Sequence, residues 1–212
     1  MKKWLLITLV VLISSCKLDE NSKSSTTIKD TTRFIVDIPV KLGGKKMYNR
    51  LASDRALWGK WDSLENGYSN LQIRVWYEYD NYKKNTLVLK KDKEWVAEWH
   101  TRISKIDNEG NIISRNRTIE TSTPKMGWNM FMDSLFKLKI LTLPSQSELP
   151  DKYMYYNTNT ILVEIADRHH YRFYYYTGHE HNINLLKEAK AMDEILNLIE
   201  SELGFKRTGR FI

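Results

Sequence analysis

Leu71-Gln72-Ile73-Arg74-Val75-Trp76-Tyr77-Glu78-Tyr79-Asp80 alternates without a break, with Leu71, Ile73, Val75, Tyr77 and Tyr79 on one side and Gln72, Arg74, Trp76, Glu78 and Asp80 on the other. A period of two predicts a half-buried β-strand, because successive side chains of an extended chain point to opposite faces. Glu94 to Ile103 repeats the pattern: Trp95, Ala97, Trp99, Thr101 and Ile103 face inward, and Glu94, Glu98, His100 and Arg102 face outward. Thr86 to Lys90 reads as a short strand between the two, and Asp107-Asn108-Glu109-Gly110-Asn111 as a turn into a further strand near 112–120. Strands joined by short turns make an antiparallel meander.

Upstream, Phe34, Val36, Ile38, Val40 and Leu42 alternate with Ile35, Asp37, Pro39 and Lys41, which predicts a strand closed by Gly43-Gly44. Pro39 cannot donate to a ladder and marks an edge position. Downstream, apolar residues take helical spacing twice: Trp128, Phe131, Met132, Leu135 and Leu138, then Leu185, Ala189, Met192, Leu196, Ile199 and Leu203. Asn182 is placed to cap the start of the second helix and Gly204 its end. Thr160 to Ala166 and Tyr171 to Tyr176 read as a hairpin turning at Asp167-Arg168-His169-His170. The expected fold is α+β, an antiparallel β meander followed by a helix, a β hairpin and a long C-terminal helix, in one domain over 34–212.

The 212 residues are 42% apolar, 12% aromatic and 28% charged, enough for one sizeable core and too few for two large domains. Nine Gly and four Pro exclude a collagenous chain, and a single Cys excludes an intramolecular disulfide framework.

That cysteine is Cys16, and its setting is specific. Met1-Lys2-Lys3 is a short positive start, and Trp4 to Ile13 is an apolar run interrupted only by Thr8. A bilayer-spanning helix needs about 20 apolar residues, so this shorter run reads as a secretory signal. Ile13-Ser14-Ser15-Cys16 resembles the lipobox of bacterial lipoproteins: an aliphatic residue, two small residues, then cysteine. The resemblance implies a diacylglyceryl group on the Cys16 thiol, cleavage just before Cys16 and acylation of the freed amine. Each buried CH₂ of an acyl chain stabilises attachment to the lipid bilayer by about 0.8 kcal/mol. Residues 1–15 would then be the signal, and 16–33 the lipidated cysteine with a flexible tether. The 17 residues after Cys16 are rich in Ser, Thr and charge and would reach roughly 20 to 25 Å. Lys17-Leu18-Asp19-Glu20 resembles the charged stretch after the cysteine in surface lipoproteins of the Bacteroidota, and Lys rather than Asp follows Cys16. Outer-membrane attachment is expected, on the cell surface rather than the periplasmic face. The plainer alternative is an ordinary signal peptide with a cysteine nearby.

Asp30-Thr31-Thr32, Asp62-Ser63-Leu64 and Asp133-Ser134-Leu135 match the O-glycosylation pattern of that phylum, and Asn116-Arg117-Thr118 is a formal sequon, discounted for a bacterial chain.

Chemistry-bearing motifs are sparse. His169, His170, His179 and His181 fall within thirteen residues, but the hairpin places the two pairs about 25 Å apart, and His179-Glu180-His181 lacks the HExxH spacing. Glu94, Glu98 and His100 share a strand face, which reads as charge on a solvated surface. Gly43-Gly44-Lys45-Lys46 fails as a phosphate loop, and no G-x-S-x-G elbow occurs. No catalytic residue, metal ligand or cofactor is singled out, and a non-catalytic role is expected.

The formal charge of +7 falls to +4 for residues 34–212, which hold 27 basic and 23 acidic residues. Lys83, Lys84, Lys90, Lys91 and Lys93 read as solvated edge-strand lysines that discourage strand pairing, and no nucleic acid partner is expected.

Aromatic residues are the richest signal. Trp76 lies opposite the apolar side of its strand, and on the hairpin either Tyr171, Phe173 and Tyr175 or Arg172, Tyr174 and Tyr176 must point the other way. Either a helix covers that face, or Trp76, Tyr174 and Tyr176 form an exposed surface able to stack sugars or anchor a protein partner. Gly59-Lys60-Trp61 resembles the G-x-W start of the lipocalin-like (calycin) families, which implies as an alternative a β barrel with added helices, Trp61 closing one end of a small-ligand cavity. The leading expectation is a membrane-anchored binding or interaction module, with a carrier of a small apolar ligand, or an immunity or inhibitor protein against a secreted toxin, as alternatives.

Overall fold

Alternation along the strands resolves into one sheet in a computed structural model that describes residues 34–58, 61–78, 82–150 and 159–206. The strands are β1 (Ile35–Asp37), β2 (Leu71–Glu78), β3 (Lys83–Lys91), β4 (Trp95–Ile106), β5 (Ile112–Ser122), β6 (Thr160–Asp167) and β7 (His170–Thr177). Their spatial order is β1-β7-β6-β2-β3-β4-β5. β2 to β5 form the antiparallel meander, and the β6–β7 hairpin joins the same sheet by pairing β6 with β2, Val163 opposite Val75. β1 pairs in parallel with β7 at one edge. The fold is α+β. The sheet is open, so the calycin-like barrel does not form, and Trp61 closes no barrel end.

One face carries Ile73, Val75, Tyr77, Leu87, Leu89, Trp99, Val163 and their neighbours, a continuous apolar core. Helices α2 (Trp128–Lys137) and α3 (Lys187–Leu203) cover it. α3 turns Ala189, Met192, Leu196, Ile199 and Leu203 inward as its spacing predicts. Gly204 ends it in the left-handed conformation, φ 75°, donating its N–H to the Glu200 carbonyl, which a side chain there would strain. Leu186, not Asn182, precedes its first turn. The Asn182 amide instead donates to the Gly178 carbonyl, and its own carbonyl accepts from Leu185 and Leu186.

The opposite face is where expectation and structure part. The strand predicted over 34–42 is only three residues long, and the chain then enters a helix, α1 (Leu42–Trp58). Gly43-Gly44 does not close a strand but lies inside the first turn of α1. Gly44 is there for space: a Cβ on it would lie 2.4 Å from the Pro39 Cβ and 2.8 Å from the Pro39 carbonyl oxygen. α1 buries Gly44, Leu51 and Arg55, and Leu51 packs in a second cluster with Trp76, Leu162, Tyr171, Phe173 and Tyr175. A small residue, one aliphatic and an arginine do not make an apolar stripe, so the helix is invisible to a periodicity search.

The lysines of β3 also sit differently from expectation. β3 is an interior strand between β2 and β4, not an edge. Lys84 is largely buried and pairs with Asp54 at 2.5 Å and Glu78 at 2.7 Å, and Lys90 pairs with Glu98 at 2.5 Å.

Gly44→Ala should lower unfolding free energy by about 1–3 kcal/mol through overpacking against Pro39, despite the better helix propensity of Ala. Urea denaturation of the two proteins compares them directly, and an equal or higher midpoint for the variant would contradict the close approach.

Candidate functional site

Glu164 is the only charged residue of β6 between Thr160 and Ala166, and its side chain is fully buried on the α1 face. Buried carboxylates need donors on both oxygens. Arg55 of α1 supplies one at 2.8 Å, Trp76 Nε1 of β2 another at 2.8 Å, and the Tyr171 hydroxyl of β7 a third at 3.0 Å. Burial pushes the Glu164 carboxyl up, opposed by the charges of Arg55 and Arg74 and by the Tyr171 hydroxyl. Burial beside that carboxyl pushes Tyr171 up as well, which keeps its proton available to donate.

Arg55 spans a second carboxylate. It donates to both oxygens of Glu65, which also accepts from the hydroxyls of Tyr48 and Ser63. Although burial opposes it, these donors hold the Glu65 carboxyl down at about 2. Tyr48, donating to that anion and partly buried, is pushed up to about 12.

Next along the face lies Trp61. Its ring is 4.8 Å from Trp76 and 4.9 Å from His100, with the guanidinium carbons of Arg74 at 5.1 Å and Arg117 at 4.4 Å. Arginine over an indole is a favourable cation–π contact. His100 is buried, its Nε2 meets Glu98 at 3.0 Å, and its Nδ1 accepts from Arg117 Nε at 3.0 Å. That pattern requires the neutral tautomer with the proton on Nε2. Burial, then the Arg117 charge, lowers the His100 pKa to about 4. The face carrying Glu98 and His100 is thus a desolvated layer and not the solvated surface expected.

A third set closes the row. Glu78 pairs with Arg50 at 3.1 Å and with Lys84, and lies 3.9 Å from Arg102. Arg102 is completely buried, lies 4.9 Å over Trp76 and 5.6 Å over Trp58, and donates to Thr86 Oγ1 at 3.2 Å. Directly across the ladder from Arg102 is Arg117 on β5, a like-charged cross-strand pair that costs stability unless both cations are otherwise engaged. Trp61 and His100 engage one, and Trp76 and Glu78 the other.

The expected aromatic surface lies inside this architecture. Trp76, Tyr174 and Tyr176 are each 0% exposed. Trp76 is covered by Trp61 and bonded to Glu164, while Tyr174 and Tyr176 belong to the opposite core and donate to the carbonyls of Ile140 and Pro144 at 2.7 Å. They are fastenings between layers and form no binding surface. Cys16, Gly59 and Lys60 lie outside the described residues. The histidine pairs sit at opposite ends of β7: His169 and His170 at its turn with β6, His179 and His181 in a 3-10 turn beyond its end. His179 faces Glu180 at 3.2 Å and Asp193 at 3.6 Å. Of the glycosylation-pattern residues, Ser63 is exposed and bonded to Glu65, and Ser134 donates to the Met130 carbonyl within α2.

Glu164, Arg55, Glu65 and Arg117 were not singled out from the sequence. A lone acid within Thr160-Ile161-Leu162-Val163-Glu164-Ile165-Ala166 was the available signal for the first, since a strand apolar on both sides is buried on both sides.

The two margins of the sheet differ. A crevice of about 320 Å³ beside β1 is lined by Ile35, Leu71, Leu141, Ile165 and the Asp37–Arg172 ion pair at 3.3 Å. At the other margin, the charged layer reaches the surface through half-buried Arg117, with exposed Arg115 two residues away on the same side of β5. A guanidinium held by a ring and an imidazole is preorganised to receive carboxylate or phosphate oxygens.

Comparison with protein-family models, with curated proteins and with solved structures finds no match to the chain. Among the described residues, no helix is long and apolar enough to cross a membrane, and no three metal-ligating side chains come together.

Glu164→Ala should cost about 3–5 kcal/mol, because it leaves the Arg55 charge buried without its deepest partner. Chemical denaturation measures this, and a loss under about 1 kcal/mol would contradict the role of Glu164. His100 gives a pH signature. With the folded pKa near 4 and an unfolded value near 6.5, the unfolded chain takes up the proton first as pH falls. Stability is complete above about pH 6.5 and declines toward pH 4, by about 2–3 kcal/mol from this group. Unfolding free energies measured across that range should fall less steeply in His100→Gln, whose amide keeps both hydrogen bonds without titrating.

Proposed function

We propose that the chain is an exported lipoprotein, anchored in the outer membrane through acylated Cys16, whose domain serves as a non-catalytic interaction module. The position of its sole cysteine carries the anchoring half: Cys16 stands after a positive start, an apolar run and two serines, and nowhere else does the chain hold a thiol. With two or three acyl chains, attachment is lasting, where a single chain would exchange.

The binding half is supported by where the described domain keeps free chemistry. Among the described residues, both faces of the central strands are filled by packing while β5 is exposed on both sides, so contact with a partner falls to the margins. Of these, the β5 margin offers fixed cations beside exposed isoleucines, including Ile113 and Ile119. A protein partner fits this arrangement better than a stacked sugar, since no exposed aromatic platform accompanies the arginines among the described residues of β5.

Growing the producing cells with an alkyne analogue of palmitate should label the wild-type chain and leave Cys16→Ala unlabelled. Absence of label on the wild type would remove the anchoring claim. Pull-down from the native envelope should recover a partner with wild type and also with soluble Cys16→Ala. Recovery of none with either would remove the interaction claim.

A further inference from the structure

Among the described residues β5 is the terminal strand of the sheet, pairing only with β4, and its 11 residues are exposed along nearly their whole length. An edge strand of this length presents a row of backbone N–H and C=O groups on its open side. The other edge does not compare: β1 has three residues and is followed by Pro39. Exposed edges are normally blunted, and β5 does carry arginines, yet it also carries Ile112 at 46%, Ile113 at 64% and Ile119 at 54% exposure. Neither charge alone nor shortness closes it.

Its side chains sort by register. Arg115, Arg117 and Ile119 lie opposite Ser104, Arg102 and His100, on the side of the sheet that carries Trp61, while Asn116, Thr118 and Glu120 lie on the other. Arg117 is held by Trp61 and by His100, and Arg102 stands behind it across the ladder, so that side of the margin is positive. The acids on the same side are already engaged, Glu98 by Lys90 and His100 and Glu78 by Arg50, Lys84 and Arg102.

We infer that β5 is a docking edge for an extended acidic segment of a protein partner, which adds to the sheet as an eighth strand. Backbone hydrogen bonds to β5 supply affinity, and alternate side chains supply selectivity. Side chains of an added strand stand about 4.5–5.5 Å from those directly opposite. The partner therefore presents acids opposite Arg115 and Arg117 and an apolar residue opposite Ile119, two positions apart each. For a second copy of this chain, two-fold antiparallel pairing centred on 115, 116 or 117 sets arginine against arginine, which disfavours those registers.

The inference rests on the interaction-module reading and names the partner chemistry of that margin. Selection from a phage-displayed random 12-residue library against the full chain without its signal should enrich sequences alternating Asp or Glu with apolar residues. A synthetic peptide of the enriched type, followed by fluorescence anisotropy, should bind in 0.1 M salt and weaken sharply in 1 M salt. Arg115→Ser should weaken it about fivefold, and Arg115→Ser with Arg117→Ser by more than twentyfold. Arg115 is exposed, so its single variant keeps the fold, and a thermal melt verifies this. Peptide N-methylated at alternate residues should lose binding, and hydrogen exchange should show new protection confined to 112–122.

Enrichment of basic or purely apolar sequences, affinity indifferent to both arginines, protection elsewhere, concentration-dependent dimerisation through β5, or no enrichment at all would each overturn the inference. Envelope pull-down separates it from the broader reading. A partner retained equally by the double arginine variant sinks the β5 edge and leaves the interaction module standing, whereas no partner with wild type sinks the module.

Discussion

The packing of α1 on this sheet is organised around a single carboxylate. Glu164 receives hydrogen bonds from a helix, from the central strand of the sheet and from the hairpin strand beside it, so three separate segments must be in place together. Desolvating a carboxylate costs several kcal/mol, and only simultaneous satisfaction of its oxygens offsets that. A buried charge of this kind adds little net stability against an apolar replacement. Its effect is on specificity: α1 has one rotational setting that delivers Arg55 to both Glu164 and Glu65, whereas a greasy helix would slide among several.

The two faces of the sheet therefore use different physics. On the α2 and α3 side, burial of aliphatic and aromatic area supplies the driving force, with Tyr174 and Tyr176 spending their hydroxyls on loop carbonyls. On the α1 side, arginines alternate with indole and imidazole rings, and each cation is placed over a ring or between carboxylates. Such a layer is stiff, since moving one member leaves its neighbours unpaired in a poor solvent for charge. Stiffness reaches the surface at Arg117, where the layer runs out.

Much of the scaffold was legible in the chain. Period-two alternation located β2 and β4, two apolar and aromatic runs around a turn located the hairpin, and steps of three and four located α2 and α3, because each of these elements contributes to an apolar core. What failed shares one cause. α1 has no apolar stripe because it packs on charges, with Gly44 and Arg55 on its inward side. Glu98, His100 and Arg102 were assigned to solvent because ionisable side chains usually are, and the same assumption left Trp76 available as a surface. Alternation reports that two faces differ; it does not report whether the polar one is wet. Trp61, which the resemblance put at the end of a barrel, instead covers Trp76 on an open sheet.

The parallel pairing of β1 with β7 has a spatial consequence. β1 stands at one extreme of the sheet, and six inter-strand gaps of about 4.8 Å separate it from β5. The arginine-bearing margin therefore lies roughly 29 Å across the sheet from β1. The sheet thus holds its two borders apart by its own width, so what one border touches is out of contact with what the other touches.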